Sequence, residues 1–172
     1  MTIKRLFLTV IVAVATALAG AAHDNLMAFI SDADGDFTNL RSTPRGALAM
    51  QLPTDNTYMV SIQNPRNGWW EVDFVAEAAE DYAVKLTGSP TGKYWIHNSV
   101  IALASRNYGG QRWCLRAKPS KRAAAVYYFT GETLFHPLDV NGYWLKVRTF
   151  DGLYTGWIEL EDLCDNPLTT CP

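Results

Sequence analysis

Two stretches of the chain share one pattern, TNLRSTP at residues 38–44 and WCLRAKP at residues 113–119. They lie 75 positions apart in the sequence. At the same offset, WWEV at residues 69–72 falls on WLKV at residues 144–147. Two matched segments at one offset predict that the chain contains two copies of a single folding unit.

A third match follows in the same order, because Trp95-Ile96 corresponds to Trp157-Ile158 at an offset of 62. The shorter offset means that the first copy carries 13 additional residues, at about residues 76–88. We therefore predict a first copy over residues 29–103 and a second over residues 111–165. The last residues, 166–172, are expected to form a C-terminal tail.

The segments between these matches resemble short strands. Val, Ile, Thr, Tyr and Trp are frequent, and turn-forming pairs such as Asp34-Gly35, Asn67-Gly68 and Asn141-Gly142 interrupt them. Many short strands with a turn about every ten residues predict an all-β barrel or sandwich. The exception is AEAAED at residues 76–81, for which we expect one helical turn or a mobile loop.

The three matched segments resemble the motifs of bacterial SH3-like (SH3b) domains, which follow N-[VL]-R-x-x-P, G-W-x-x-V and G-W-[IV]. This sequence departs from those motifs at Cys114, Tyr94 and Tyr143, where the family has Asn, Gly and Gly. The resemblance implies two tandem SH3-like small β-barrels of five or six strands each. It also implies an exported protein that recognises cell-wall peptides or peptidoglycan.

The N-terminus has the features of a cleavable secretory signal peptide over residues 1–22. Lys4 and Arg5 precede an apolar run from Leu6 to Leu18, and small residues follow. The alternative is a membrane anchor, but the run is short for a spanning helix. We therefore expect a secreted or periplasmic protein that meets the membrane only through its export signal.

The charge balance bears on the choice of partner. The formal net charge of the chain is −2, with 15 Lys and Arg against 17 Asp and Glu. The sequence shows no basic stripe of the kind that neutralises phosphates along a nucleic acid. Nucleic acid is therefore not an expected partner.

The chain has three cysteines, which allow one disulfide in three pairings. Cys164 and Cys171 flank six residues that include a proline, so we favour a small loop closed by this pair. Such a bridge is stable in an oxidising compartment. Cys114 is expected to be a small buried hydrophobic residue, with a reactive thiol as the alternative.

Side-chain alternation indicates which tryptophans face outward. Residues i and i+2 of a strand share a face. One face of each strand carries apolar residues, Trp70 and Val72 in the first copy and Leu145 and Val147 in the second, and we expect this face to form the core side. This places Trp69 and Glu71 outward, and the same alternation places Trp144 and Lys146 outward in the second copy. An outward indole is a candidate platform for a ligand, and the alternative is packing within a small barrel.

The residues expected to bind the ligand are all aromatic. They are Trp69, Trp95, Tyr58, Trp144, Trp157 and Tyr127. Arg41 and Arg116, at equal positions before the prolines, either clamp a ligand carboxylate or, as we favour, bond carbonyl groups of their own loops.

No catalytic residue, cofactor or metal site is expected. Cys114, His97 and His136 are spread over both copies, although thiol catalysis needs its groups within hydrogen-bond reach. Asp32-x-Asp34-Gly35-Asp36 is rich in carboxylates but fails the pattern of an EF-hand calcium loop, so we interpret it as a polar turn.

These observations predict a non-enzymatic binding module that recognises cell-wall peptide, peptidoglycan or another extended ligand. The alternative is a protein-interaction or inhibitor module that acts on an exported protein through the insertion. A hydrolase is a third and less favoured hypothesis.

Overall fold

The computed structural model describes residues 26–78, 84–88 and 93–168. In these residues the chain is all-β, every strand pair is antiparallel, and the only helices are two short 3₁₀ turns. The predicted signal peptide and Cys171 lie outside the described residues. The elements in chain order are β1 (Leu26–Ile30), β2 (Phe37–Arg41), β3 (Leu48–Pro53), β4 (Tyr58–Arg66), β5 (Trp69–Ala78), β6 (Val84–Gly88), β7 (Tyr94–His97), η1 (Asn98–Val100), β8 (Ile101–Ser105), β9 (Trp113–Arg116), β10 (Ala125–Phe129), β11 (Leu134–Asn141), β12 (Trp144–Thr149), β13 (Thr155–Glu159), η2 (Leu160–Asp162) and β14 (Leu163–Cys164).

The alternation expected from the sequence is present in β12. Leu145, Val147 and Thr149 are buried, while Trp144 and Lys146 are only half-buried. A strand with one face in the core and one toward solvent shows this period of two. The β12 strand therefore presents its first tryptophan on the outer face.

The turn between β4 and β5 consists of Asn67 and Gly68, one of the Asn-Gly turns expected from the sequence. Asn67 has φ 52° and Gly68 has φ 83°, so both residues adopt left-handed backbone conformations. Two such residues in a row connect antiparallel strands with the twist that a hairpin requires, and Asn-Gly tolerates this best. The turn fixes the start of β5, and with it the position of Trp69.

The strand order repeats itself across the molecule. Along the sheet it runs β10-β9-β13-β12-β11-β8-β1-β4-β5-β7-β2-β3, with β14 beside β8 and β6 beside β5. The order β1-β4-β5-β7-β2-β3 is thus matched by β8-β11-β12-β13-β9-β10. We call β1–β8 the N-terminal half and β8–β14 the C-terminal half. Trp69 begins β5 and Trp144 begins β12, so these matched segments occupy equivalent strands.

The two halves share a strand and a core. All five residues of β8 are buried, and β8 pairs with β1, β11 and β14. Trp70, 1% exposed, donates a hydrogen bond from Nε1 to the carbonyl oxygen of Pro137 at 3.1 Å, which joins β5 to β11. The buried apolar residues of both halves form one continuous cluster. In addition, β1 begins at Leu26, three residues before the predicted start of the first copy.

The insertion differs from the expectation of a helical turn or loop where it is described. Strand β5 continues through Ala78, and β6 pairs with it antiparallel, so the two form an extended hairpin. Ala76 is fully buried and pairs with Met59 of β4, whose backbone supplies partners that a lone helical turn would lack. Residues 79–83 lie outside the described residues.

Candidate functional site

Strands β4, β5, β7 and β2 bring an aromatic face together in the N-terminal half. Trp69 pairs with His97, and Trp95 pairs with Glu71 and with Arg41, so these side chains share one side of the sheet. The half-buried Trp69 ring meets the imidazole of His97 edge-on, with centroids 5.1 Å apart and an interplanar angle of 70°.

The centre of this face is more enclosed than the sequence suggested. Glu71, expected to face outward, is only 5% exposed, and its carboxylate accepts a salt bridge from Lys93 at 2.7 Å. Gln63 also donates to it, at 3.3 Å. Trp95 is 9% exposed, and the guanidinium of Arg66 lies 5.8 Å from the centroid of its ring. Trp69 is therefore the more accessible indole of the two.

Tyr58 does not join this face. It lies at the opposite end of β4 from the pairing of Arg66 with Trp69, and its ring is buried in the core. Its hydroxyl accepts a hydrogen bond from Nδ2 of Asn56 at 3.3 Å. The ring therefore packs in the interior rather than on the outer surface.

The C-terminal half carries the equivalent face on β11, β12, β13 and β9. Trp157 pairs with Lys146 and with Arg116, and Trp144 pairs with Glu159. Both tryptophans are half-buried. A shallow groove of about 170 Å³ opens here, lined by Arg112, Trp113, Cys114, Arg116, Trp144, Ile158, Glu159 and Asp162.

The groove has walls of opposite charge. Arg112 lies on its positive side, with its guanidinium 4.1 Å from the centroid of the Tyr128 ring. On the negative side, burial and the nearby charges of Glu159 and Glu161 raise the pKa of Asp162. Lys121 lies 3.1 Å from Glu159 and offsets part of that charge. The groove can therefore bind polar groups of either sign beside an indole.

Tyr127 is engaged with other rings of the C-terminal half. It stacks on Tyr154 at 4.3 Å and on Phe129 at 5.8 Å, each at an interplanar angle of 20°. The ring is half-buried within this stack, so a ligand would meet Tyr154 as well as Tyr127.

The matched arginines have the loop-bonding role that we favoured. Arg41 donates to the carbonyl oxygen of Gly46 at 2.9 Å, and Arg116 donates to that of Ala123 at the same distance. Each bond closes a loop, the one between β2 and β3 in the N-terminal half and the one between β9 and β10 in the C-terminal half. The equal geometry shows that these arginines hold equivalent loops in the two halves.

The acidic segment before β2 forms a polar turn. Asp32 accepts hydrogen bonds from Thr38 Oγ1 at 2.9 Å and from the backbone N–H of Asp34 at 3.3 Å. Within residues 26–78, 84–88 and 93–168, no group of three or more His, Cys, Asp or Glu side chains is placed to hold a metal ion. No helix in the same residues is long and apolar enough to span a bilayer.

The cysteines and histidines occupy distinct environments. Cys114 is a free, half-buried thiol in the groove, so it is less buried than expected. Cys164 is buried beside Ala104, and its predicted pairing with Cys171 lies outside the described residues. His136 stacks on Phe150 at 4.1 Å, with Nδ1 2.9 Å from the carbonyl oxygen of Ile101.

One feature that the sequence did not reveal is the proximity of His97 to the C-terminal half. Burial and then the positive charges of Arg148, Arg45 and His136 lower the pKa of His97. These residues come from distant parts of the chain. No motif joins them in the sequence.

No model of a known protein family matches the chain, and no curated protein matches it. Among solved structures, NlpC1 from Trichomonas vaginalis is 12% identical with a TM-score of 0.30, covering 89% of this chain and 50% of its own. NlpC2 from the same organism is 15% identical with a TM-score of 0.30, covering 81% of this chain and 48% of its own. The chain spans about half the length of these proteins. At such TM-scores the likeness assigns neither fold nor activity.

Proposed function

We propose that the chain is an exported, non-enzymatic binding module made of two tandem SH3-like units, and that it recognises cell-wall peptide or peptidoglycan. The observation that carries this proposal is the repetition of one constellation on equivalent strands. Trp69 and Trp95 with Arg41 in one half correspond to Trp144 and Trp157 with Arg116 in the other.

A half-buried indole suits recognition of an extended ligand. Its flat ring buries a large area on contact, while its N–H still reaches a polar group. Two modest sites on one molecule also reinforce each other when both reach the same polymer, because the second contact is then intramolecular. A polymeric cell-wall ligand would use both halves in this way.

Co-sedimentation with purified sacculi tests the proposal. We expect the wild-type protein to pellet with sacculi and the Trp69→Ala/Trp144→Ala variant to bind about thirtyfold more weakly, at about 1 kcal/mol per ring. Tyr108→Ala is the matched control, since Tyr108 is 63% exposed in the segment between β8 and β9. Near-UV circular dichroism verifies that each variant is folded. A wild-type protein that stays in the supernatant refutes the proposal.

The insertion favours a second candidate, a module that binds or inhibits an exported protein. The β5–β6 hairpin has no counterpart in the C-terminal half, where β12 ends at Thr149. Replacing residues 77–87 by a two-residue turn separates the two functions. Loss of a captured exported protein with sacculus binding intact supports this candidate, and the reverse supports cell-wall binding.

A further inference from the structure

One wall of the groove in the C-terminal half is a guanidinium whose donors are unused. Arg112 lines the groove, and its Cζ atom lies 4.1 Å from the centroid of the Tyr128 ring. A cation–π contact of this kind holds the guanidinium in place without using its N–H groups. Within residues 26–78, 84–88 and 93–168, no hydrogen bond or ion pair involves those N–H groups. The wall therefore offers a fixed cation whose donors are available to an acceptor.

The other wall carries two carboxylates, and the protein supplies a cation to one of them. Glu159 and Asp162 both line the groove. Lys121 forms a salt bridge with Glu159 at 3.1 Å, whereas none of the ion pairs in the described part of the chain includes Asp162. Burial, followed by the charges of Glu159 and Glu161, raises the pKa of Asp162. A bound cation would relieve the repulsion among these carboxylates.

An indole lies beside the charged walls. Trp144 lines the groove, is half-buried, and is the cross-strand partner of Glu159. The groove has a volume of about 170 Å³. Pockets that enclose drug-sized ligands have volumes of about 300–1,000 Å³. The groove therefore has room for one short segment of a ligand, placed against a flat apolar ring.

The N-terminal half does not repeat these charges. The offset of 75 residues places Phe37 at the position equivalent to Arg112, and the offset of 62 residues places Val100 at the position equivalent to Asp162. Neither Phe37 nor Val100 can pair with an ion. Of the two matched faces, the one in the C-terminal half is therefore built to bind a segment with two opposite charges.

We propose that this groove binds the end of a peptide that carries both a carboxylate and an ammonium group, with the carboxylate on Arg112 and the ammonium at Asp162. A guanidinium binds a carboxylate through two parallel hydrogen bonds, and an ammonium donates to a carboxylate. A terminal carboxylate and the amine of a neighbouring side chain supply both charges within one short segment. The inference rests on the proposed function of Trp144 and adds the chemistry of the ligand in one half.

Four forms of one dipeptide test this inference. Nα-acetyl-lysyl-alanine carries both charges, its C-terminal amide lacks the carboxylate, its Nε-acetyl form lacks the ammonium, and the doubly blocked form lacks both. NMR titration follows the indole N–H signals of Trp144 and Trp69. We expect the doubly charged form to shift the Trp144 signal alone. Each blocked charge should weaken binding by about fivefold, which is at the upper end for an exposed ion pair.

Variants assign each charge of the dipeptide to its wall. Arg112→Gln should bind the free carboxylate and its amide equally, because the group that distinguishes them is gone. Asp162→Asn should likewise bind the free amine and its acetylated form equally. Arg122→Gln, in the exposed turn between β9 and β10, is the matched control and should distinguish all four forms as the wild type does. Near-UV circular dichroism verifies that each variant is folded.

Three outcomes overturn the inference: no form of the dipeptide binds at millimolar concentration, all four forms bind equally, or Arg112→Gln still distinguishes the carboxylate from its amide. Sacculus binding separates these failures from failure of the proposed function. If sacculi bind the wild type and the Arg112→Gln/Asp162→Asn variant equally, the proposed function stands and the ligand assigned to the groove is wrong. If sacculi do not bind but the doubly charged dipeptide does so through Arg112 and Asp162, the groove assignment stands and the cell-wall function is wrong.

Discussion

Replacing Trp70 by phenylalanine tests whether the two halves fold as one unit. The change removes the Nε1 hydrogen bond to the carbonyl oxygen of Pro137, and it also removes the volume of one of the two fused rings of the indole. A lost buried hydrogen bond costs about 1 kcal/mol. The missing atoms cost about 1–2 kcal/mol more, because Trp70 is 1% exposed and its surroundings collapse only partly.

The expected loss is therefore about 2–3 kcal/mol in the free energy of unfolding, or about 5–10 °C in Tm for a chain of this size. Chemical denaturation followed by far-UV circular dichroism measures it. Amide exchange of Val60 in β4 and Leu145 in β12 reports on each half separately. Since both belong to one apolar cluster, we expect both amides to lose the same protection. A loss of amide protection confined to Val60, or two separate unfolding transitions in denaturant, would refute the argument for a common core.

Three further changes test packing, charge and titration. Gly156→Ala should destabilise the protein by about 1–3 kcal/mol, because a Cβ there would lie 2.8 Å from Leu115 Cβ, whereas Gly131→Ala, with open space, should be neutral in the same thermal melts. Lys93→Met should cost about 1–3 kcal/mol in urea denaturation, because it leaves the buried carboxylate of Glu71 without its cation, and an unchanged midpoint would contradict this. Because the pKa of His97 is lowered in the folded state, stability should be complete above its unfolded pKa of about 6.5 and decrease as the pH falls below it. His97→Gln should reduce that decrease, and an identical pH profile would contradict the assignment.

Local patterns in the sequence predict much of this fold. The duplication places Trp69 and Trp144 at the starts of equivalent strands, and the Asn67-Gly68 turn fixes one of those starts. Alternation along β12 correctly separates buried from outward residues. Alternation and turn formation depend on interactions between near neighbours, so a short window of sequence contains that information, and the duplication is detected by comparing two such windows.

The strand that the two halves share, β8, could not be predicted from short windows of sequence. Residues 101–105 read IALAS, a run that marks a buried strand but shows no alternation that would identify its partners. Its hydrogen bonds go to β1, β11 and β14, which come from both ends of the chain. The enclosure of Glu71 was missed for a related reason, because it depends on Lys93 beyond the insertion.

Divergence between equivalent positions explains how a duplicated fold acquires different surfaces. Glu71 on β5 corresponds to Lys146 on β12, so the centre of one aromatic face is acidic and paired while the other is basic. His97 corresponds to Glu159, so an imidazole beside Trp69 is matched by a carboxylate that lines the groove beside Trp144. The cross-strand pairs Trp69–His97 and Trp144–Glu159 occupy matched positions, so these exchanges change the charge at equivalent places of the two faces. If the proposed function holds, a ligand that contacts both faces would meet similar indoles beside different charges, so we expect the two halves to contribute unequally to its binding.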